Sequence, residues 1–432
     1  MTEGFFKLSK NNTNVKTEII AGITTFMTMA YILIVNPLTL AEAGMDFGAV
    51  FTATALSAVV ATLVMALVAN LPFALAPGMG LNAFFAYTVV LSMGASWEFA
   101  LTAVFLEGII FIILTFLNVR EAIINAIPLN LKKAVSVGIG LFIAFIGLYN
   151  AGIVVLGQGI PLTLGKVTGG TALLAIIGLL LTGFLLAKKV KGALLFGILA
   201  TTIIGIPMGI TQLPEGLKFV SAPPSLSPIF FKFDFSEVFS MKMVIVLFSF
   251  LFVDMFDTVG TLIGVATKAD MLDENGRVPR VKQALFADAV GTTVGAMLGT
   301  STVTTYVESA SGVAEGGRTG LTALSTAGMF AISLFLSPLF IMIPSAATAP
   351  ALILVGLFMM SPIQSIDFAD FTEAIPAFLT IVMMPLSYSI AEGIVFGMIS
   401  YVVLKSVTGK FKDVSPLMYV LALAFVAKFF IH

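Results

Sequence analysis

The sequence has no cysteine, and its one histidine is His432, the last of 432 residues. Disulfides, thiolate zinc sites, cysteine nucleophiles and buried histidine relays or metal clusters are excluded together. Charge is scarce: 10% of the residues are Asp, Glu, Lys or Arg, against about 25% in a soluble domain. A net charge of −1 supplies no concentrated basic surface, so no nucleic-acid partner is indicated. What is plentiful is apolar, with 59% hydrophobic side chains and a mean hydropathy of +1.09. These residues fall in blocks of about 17–25, long enough to cross a hydrocarbon core of about 30 Å as helices. The chain reads as an all-α polytopic membrane protein. Its polar start, MTEGFFKLSKNNTNVKTE, runs straight into a full-length apolar block, so no signal peptide is expected.

Apolar blocks between polar or Pro/Gly punctuation predict crossings at 19–37, 48–70, 97–118, 132–149, 170–188, 192–212, 243–266, 282–300, 319–342, 348–363, 373–388 and 391–406. Two broken crossings, 72–92 and 302–317, bring the number to fourteen. The stretch 415–431 is either a fifteenth crossing or an interfacial helix. Cytoplasmic loops collect Lys and Arg. With the N-terminus inside, the inner segments hold 17 of the 22 cations, including Lys7, Lys16, Arg120, Lys133, Lys188, Lys189, Lys191, Arg277, Arg318 and Lys405. The outer loops hold Lys166, Lys218, Lys232 and Lys242. A cytoplasmic N-terminus and an even number of crossings in the plasma membrane are therefore expected.

The halves resemble each other. Leu101-Thr102-Ala103-Val104 with Gly108 matches Leu321-Thr322-Ala323-Leu324 with Gly328. Ile127-Pro128 with Gly140-Leu141-Phe142 matches Ile343-Pro344 with Gly356-Leu357-Phe358. Seven crossings per unit is odd, so the second unit enters from the opposite side, an inverted repeat. Each third crossing is interrupted. LPFALAPGMGLNAFFAY carries Pro72, Pro77, Gly78 and Gly80, and STVTTYVESASG reads as a short strand, Val303 to Val307, followed by Glu308. Non-helical backbone at membrane depth survives only inside protein or beside a water-filled cavity. The half-helices that follow should turn their N-terminal amides toward that cavity.

Acids inside spans are costly and default candidates for function. Here they are Glu107, Asp254, Asp257, Asp288, Glu308 and Glu392. Asp254 and Asp257 share a helix face. Asp257, Glu308 and Asn82 form the candidate constellation, whereas Glu107, Asp288 and Glu392 fit interhelical hydrogen bonding. Two carboxylates and an amide without a fixed cation suit a neutral planar ligand with adjacent N–H donors and C=O acceptors. Phe84, Phe85, Tyr87 or Tyr306 could stack on its ring. An anion would be repelled.

The stretches AGITTFMTMAYILIVNP, FALAPGMGLNAFFAY, FVDMFDTVGTLIGVA and TTYVESASGVAEGGRTGLTAL resemble the nucleobase/ascorbate transporter family, specifically its AzgA-like hypoxanthine/guanine/adenine permeases, over essentially the whole chain. The resemblance implies two inverted seven-span repeats. A core domain (19–118 and 243–342, spans 1–4 and 8–11) moves against a gate domain (119–212 and 343–432, spans 5–7 and 12–14 with the C-terminal segment). A cytoplasmic N-terminus (1–18) and an extracellular loop (213–242) complete the chain. The family's span 8 carboxylate falls on Asp257, followed by Gly260. Its span 10 carboxylate falls on Glu308, with Tyr306 two residues before it, and the branch's span 3 Asn falls on Asn82. Gly80, Phe85, Thr258 and Ser309 complete the expected substrate set. Uracil and xanthine relatives carry Glu on span 8, and the shorter Asp257 leaves room for a bicyclic purine.

The expected activity is uptake of guanine and hypoxanthine by proton symport with alternating access. Burial in a closed cavity penalises a charged carboxylate, so Glu308, Asp257 or Asp254 is the candidate proton carrier. Sodium is the alternative coupling ion, held by Asp254 with Thr24, Thr25 or Thr258. No cofactor or resident metal is expected, and a homodimer is compatible with the sequence. An adenine-selective permease, a sulfate- or bicarbonate-type anion carrier and a channel are the rival readings. An enzyme is not expected, since no nucleophile motif is present.

Overall fold

The computed structural model describes residues 2–117, 128–213, 219–268, 271–272 and 278–431. Arg120, Lys218, Arg277, Ile127 and His432 lie outside the described residues. The principal helices, in chain order, are α1 (Val15–Met29), α2 (Ile32–Glu42), α3 (Phe47–Val64), α4 (Met79–Ala83), α5 (Trp97–Leu117), α6 (Leu129–Asn150), α7 (Gly170–Ala187) and α8 (Ala193–Gly205). The second half supplies α9 (Met241–Lys268), α10 (Val281–Leu298), α11 (Ser309–Ala314), α12 (Gly320–Ser333), α13 (Ser345–Met359), α14 (Phe371–Leu386), α15 (Ile390–Val407) and α16 (Pro416–Ile431).

Eight stretches among the described residues are long and apolar enough to cross a membrane: Val15–Glu42, Phe47–Ala69, Trp97–Leu117, Leu129–Asn150, Gly170–Ala187, Gly320–Ile341, Ser345–Ser365 and Ile390–Val407. Met79–Ser92, Ala193–Gly205 and Phe371–Leu386 are shorter apolar helices. The result is a mostly helical, polytopic membrane-type fold. Polar side chains start several helices where the sequence turns apolar. Asn14 accepts from Thr17 N at 3.0 Å and Asp46 from Ala49 N at 2.7 Å, satisfying amides that the first helical turn leaves open.

The first crossing is interrupted at Ala30–Tyr31, between α1 and α2, where the sequence reads as one continuous span. The third crossing begins as strand β1 (Leu75–Pro77), becomes α4, and widens over Phe84–Ser92 into π-type turns such as Met93 N to Thr88 O at 2.9 Å. Strands β2 (Val154–Leu156) and β3 (Leu162–Leu164) form a hairpin after α6 that sequence patterning does not show. Strand β4 (Val303–Thr305) stops before Val307 because Ser309 N already turns back to Tyr306 O.

Strands β1 and β4, 228 positions apart, pair antiparallel, with Leu75 opposite Thr305, Ala76 opposite Thr304 and Pro77 opposite Val303. The ladder continues through Gly78 N to Thr302 O and Tyr306 N to Ala74 O, both at 2.9 Å. Around this joint α1–α5 and α9–α12 pack chiefly on one another, while α6, α7, α8, α13, α14 and α15 pack together in a second group.

Candidate functional site

The β1–β4 ladder gives interrupted backbone its hydrogen bonds inside protein, as the membrane interior demands. Side chains then lock the joint. Tyr306 donates its hydroxyl to Pro77 O at 2.5 Å, and Ser309 Oγ accepts from Ala74 N at 3.0 Å. Tyr306 and Ser309 are both buried and hold the two strand ends together.

Glu308 sits immediately before α11, half-buried. Tyr31, at the turn between α1 and α2, donates its hydroxyl to Glu308 Oε1 at 2.7 Å. Glu308 also lines a cavity of about 240 Å³ with Thr28, Ser311, Phe358 of α13, and Lys189 and Lys191 from the α7–α8 turn. The cavity thus joins one carboxylate to hydroxyls, an aromatic ring and a basic mouth. The amides of Ser309, Ala310 and Ser311 do not face it as free donors. Each bonds the carbonyl three residues back, on Tyr306, Val307 and Glu308, at 2.9 to 3.1 Å. That corrects the expectation for the second half-helix, because the tight first turn uses those donors locally.

Asp257 is half-buried on α9 and faces the strand–helix joint. A Cβ added at Gly78 would lie 3.7 Å from Asp257 Oδ2 and 2.5 Å from Thr304 Cγ2. At the next residue, buried Thr258 Oγ1 contacts Asp254 Oδ1 at 3.0 Å, Asp288 Oδ1 at 2.9 Å and Thr304 Oγ1 at 2.7 Å. Asp254 and Thr258 therefore tie α9 to α10 and β4. Glu107 on α5 accepts from Thr302 Oγ1 at 2.6 Å.

Other expected residues are buried in this structure. Asn82 is fully buried; its Oδ1 accepts from Ser301, and its amide reaches Pro77 O at 3.5 Å. Phe85 is fully buried in the apolar core. Gly80 touches the second helix group, since a Cβ there would meet Ile139 Cγ2 at 2.8 Å. The structure thus sets Asp257, Thr304 and Thr258 beside Gly78, where the Tyr306 hydroxyl also arrives through Pro77 O, and sets Glu308 with Tyr31 at the start of α11. Tyr31, Thr28, Phe358 and Lys189 were missed by sequence reasoning. No Pro or Gly marks Tyr31, and Phe358 and Lys189 belong to the other helix group.

The interrupted helices, the paired strands and the cavity walled by Glu308 define a membrane carrier fold. The transmembrane domain of a cyanobacterium bicarbonate transporter, BicA, superposes with a TM-score of 0.66, covering 88% of this chain and 97% of that one at 17% identity. The murine anion transporter Slc26a9 in its inward-facing state gives a TM-score of 0.61, covering 91% and 68% at 13% identity. These likenesses concern the fold.

Sequence comparison is more specific. The Permease family model Xan_ur_permease matches residues 16–396. The guanine/hypoxanthine permease PbuG of Bacillus subtilis (strain 168) is 47% identical over 436 residues, covering 98% of each chain. The adenine permease AdeP of Escherichia coli (strain K12) is 46% identical over 428 residues, covering 99% of this chain and 96% of its own. The chain belongs to this permease family, the nucleobase/ascorbate transporters, and is a multi-pass membrane transporter rather than an enzyme.

Proposed function

We propose that this chain imports purine nucleobases across the plasma membrane by proton-coupled symport with alternating access. The observation that carries the reading is the Glu308 carboxylate, held by Tyr31 at the cavity wall, with Asp257 on α9 beside Gly78 of the same strand pair. Carboxylates accept ring N–H bonds, and guanine and hypoxanthine present N1–H beside a C6 carbonyl. Oxo-purines are the favoured substrates, and the full-length likeness to PbuG supports that choice. Adenine is the alternative, supported by AdeP at nearly the same identity. Asp257, Glu308, Asn82, Gly80, Tyr306, Phe85, Thr258 and Ser309 remain the substrate set. Of these, Asp257 and Glu308 are direct contacts, and the buried members support them. Glu308, Asp257 and Asp254 are the candidate proton carriers.

The architecture in this reading is fourteen crossings in two inverted repeats, with a cytoplasmic N-terminus. Two contacts between equivalent positions support it. The antiparallel β1–β4 pair comes from the two third crossings. Gly140 and Gly356, matched in the internal alignment, abut: a Cβ on Gly140 would lie 2.6 Å from Gly356 O. Equivalent residues that touch must lie near the axis relating the repeats. The first helix group (15–117 and 241–341) is then the core domain, and the second (129–205 and 345–407) the gate.

The test is radiolabelled purine uptake by proteoliposomes under an inward proton gradient, with and without sodium. Adenine, guanine, hypoxanthine, xanthine, uracil and sulfate serve as competitors. Competition by guanine and hypoxanthine, and stimulation by the proton gradient alone, are expected. Uptake indifferent to that gradient would remove the proton, and competition by sulfate would favour an anion carrier.

A further inference from the structure

At the face opposite the Lys189–Lys191 turn, the end of the third crossing meets the second helix group through an aromatic layer. Tyr87, on the π-type turns after α4, accepts at its hydroxyl from Asn150 Nδ2 at the end of α6, 3.2 Å away. Its ring packs edge-on against Tyr388 with centroids 5.8 Å apart. Tyr388 packs edge-on in turn against Phe142 and Phe145 of α6, at 5.5 and 6.1 Å. Beside them the Ile390 amide donates to Thr88 Oγ1 at 3.4 Å. Every one of these core-to-gate contacts joins Tyr87 or Thr88 to the ends of α6 and α15.

Tyr388 is held under strain to do this. Its φ is +54°, a left-handed conformation that a bulky residue adopts at real cost. Glycine would serve the α14–α15 turn without strain. The turn instead carries a ring that reaches three aromatic neighbours in two helix groups. Edge-on aromatic pairs are favourable beyond the area they bury. Tyr87 is buried, whereas Glu308 lines the cavity beside Lys189 and Lys191. The path from the site is therefore covered on the Tyr87 side.

We propose that Tyr87, Asn150 and Tyr388, with the Thr88–Ile390 contact, form the extracellular gate of this permease, shut in this structure and broken once per transport cycle. The proposal rests on the alternating-access reading above and adds the contacts that seal one side. A gate of this kind predicts that fixing Thr88 to Ile390 stops the cycle while cytoplasmic purine binding persists.

The chain has no cysteine, so a Thr88→Cys/Ile390→Cys pair reports on this contact alone. Oxidation should lower purine uptake at least 10-fold and reduction should restore it, with purine binding to the solubilised protein unchanged. Oxidised, cross-linked protein that transports at the reduced rate overturns the proposal. A second measurement needs neither folding of that pair nor transport. Ala83→Cys, one turn below Tyr87 and buried, is labelled with a membrane-impermeant maleimide added outside. Adding Tyr87→Phe or Tyr388→Gly should speed labelling several-fold; equal rates overturn the gate. A parent protein that takes up no purine would sink the permease reading, and the labelling rates would still decide the seal.

Discussion

Tyr31 donates its hydroxyl to Glu308 Oε1 at 2.7 Å across 277 positions of chain. One carboxyl oxygen is thereby fixed. Tyr31→Phe keeps the ring and deletes the donor. Hydrogen bonds to charged groups contribute about 1.5–3 kcal/mol, so purine uptake should fall about 10- to 100-fold in kcat/KM. In a Glu308→Gln background the same change should add little, because the two residues act as one unit.

Thr258 joins Asp254, Asp288 and Thr304 with one hydroxyl. Thr258→Val removes the single hydroxyl donor that Asp254 and Asp288 share, at a cost of about 1–3 kcal/mol. Thermal unfolding of the purified protein should shift down and uptake should collapse. Thr258→Ser should restore both, since the hydroxyl rather than the methyl makes the bridge.

Glu18 on α1 is fully buried and accepts from Arg318 N, Thr319 N, Thr322 N and the hydroxyls of Thr319 and Thr322, at 2.6 to 3.3 Å. It closes the N-terminus of α12, where partial positive charge collects. Glu18→Ala strands several buried donors and should lower stability by about 3 kcal/mol or more. A midpoint of thermal unfolding within a degree of the parent would contradict this.

Lys410 donates to Asp370 Oδ2 at 2.6 Å and, with Thr372, holds that carboxyl well below the usual carboxylate range. Because the folded value is depressed, the stabilisation is complete above the ordinary Asp value of about 4 and is lost as pH falls below it. Thermal midpoints of the parent should drop more steeply with acid below about pH 4 than those of Lys410→Met.

Much of the site was legible because its cost is written in the sequence. Asp257 and Glu308 are acids inside apolar runs, and Pro72, Pro77, Gly78 and Gly80 punctuate the stretch that contains β1. What stayed hidden depends on partners far away in the chain. The Ala30–Tyr31 interruption has no local helix breaker, and Tyr31 finds its partner only when Glu308 folds beside it. Asn82 stands out by type and spacing, but its partner Ser301 lies 219 positions further along the chain. The β2–β3 hairpin has three-residue strands too short to show a period of two.

The most direct test is hypoxanthine uptake by proteoliposomes of the parent, Asp257→Asn and Glu308→Gln, each verified as folded by its thermal midpoint. The parent should accumulate hypoxanthine, and each variant should lose at least 10-fold in kcat/KM while its midpoint stays near the parent's. Folded variants that transport hypoxanthine as well as the parent would contradict the account.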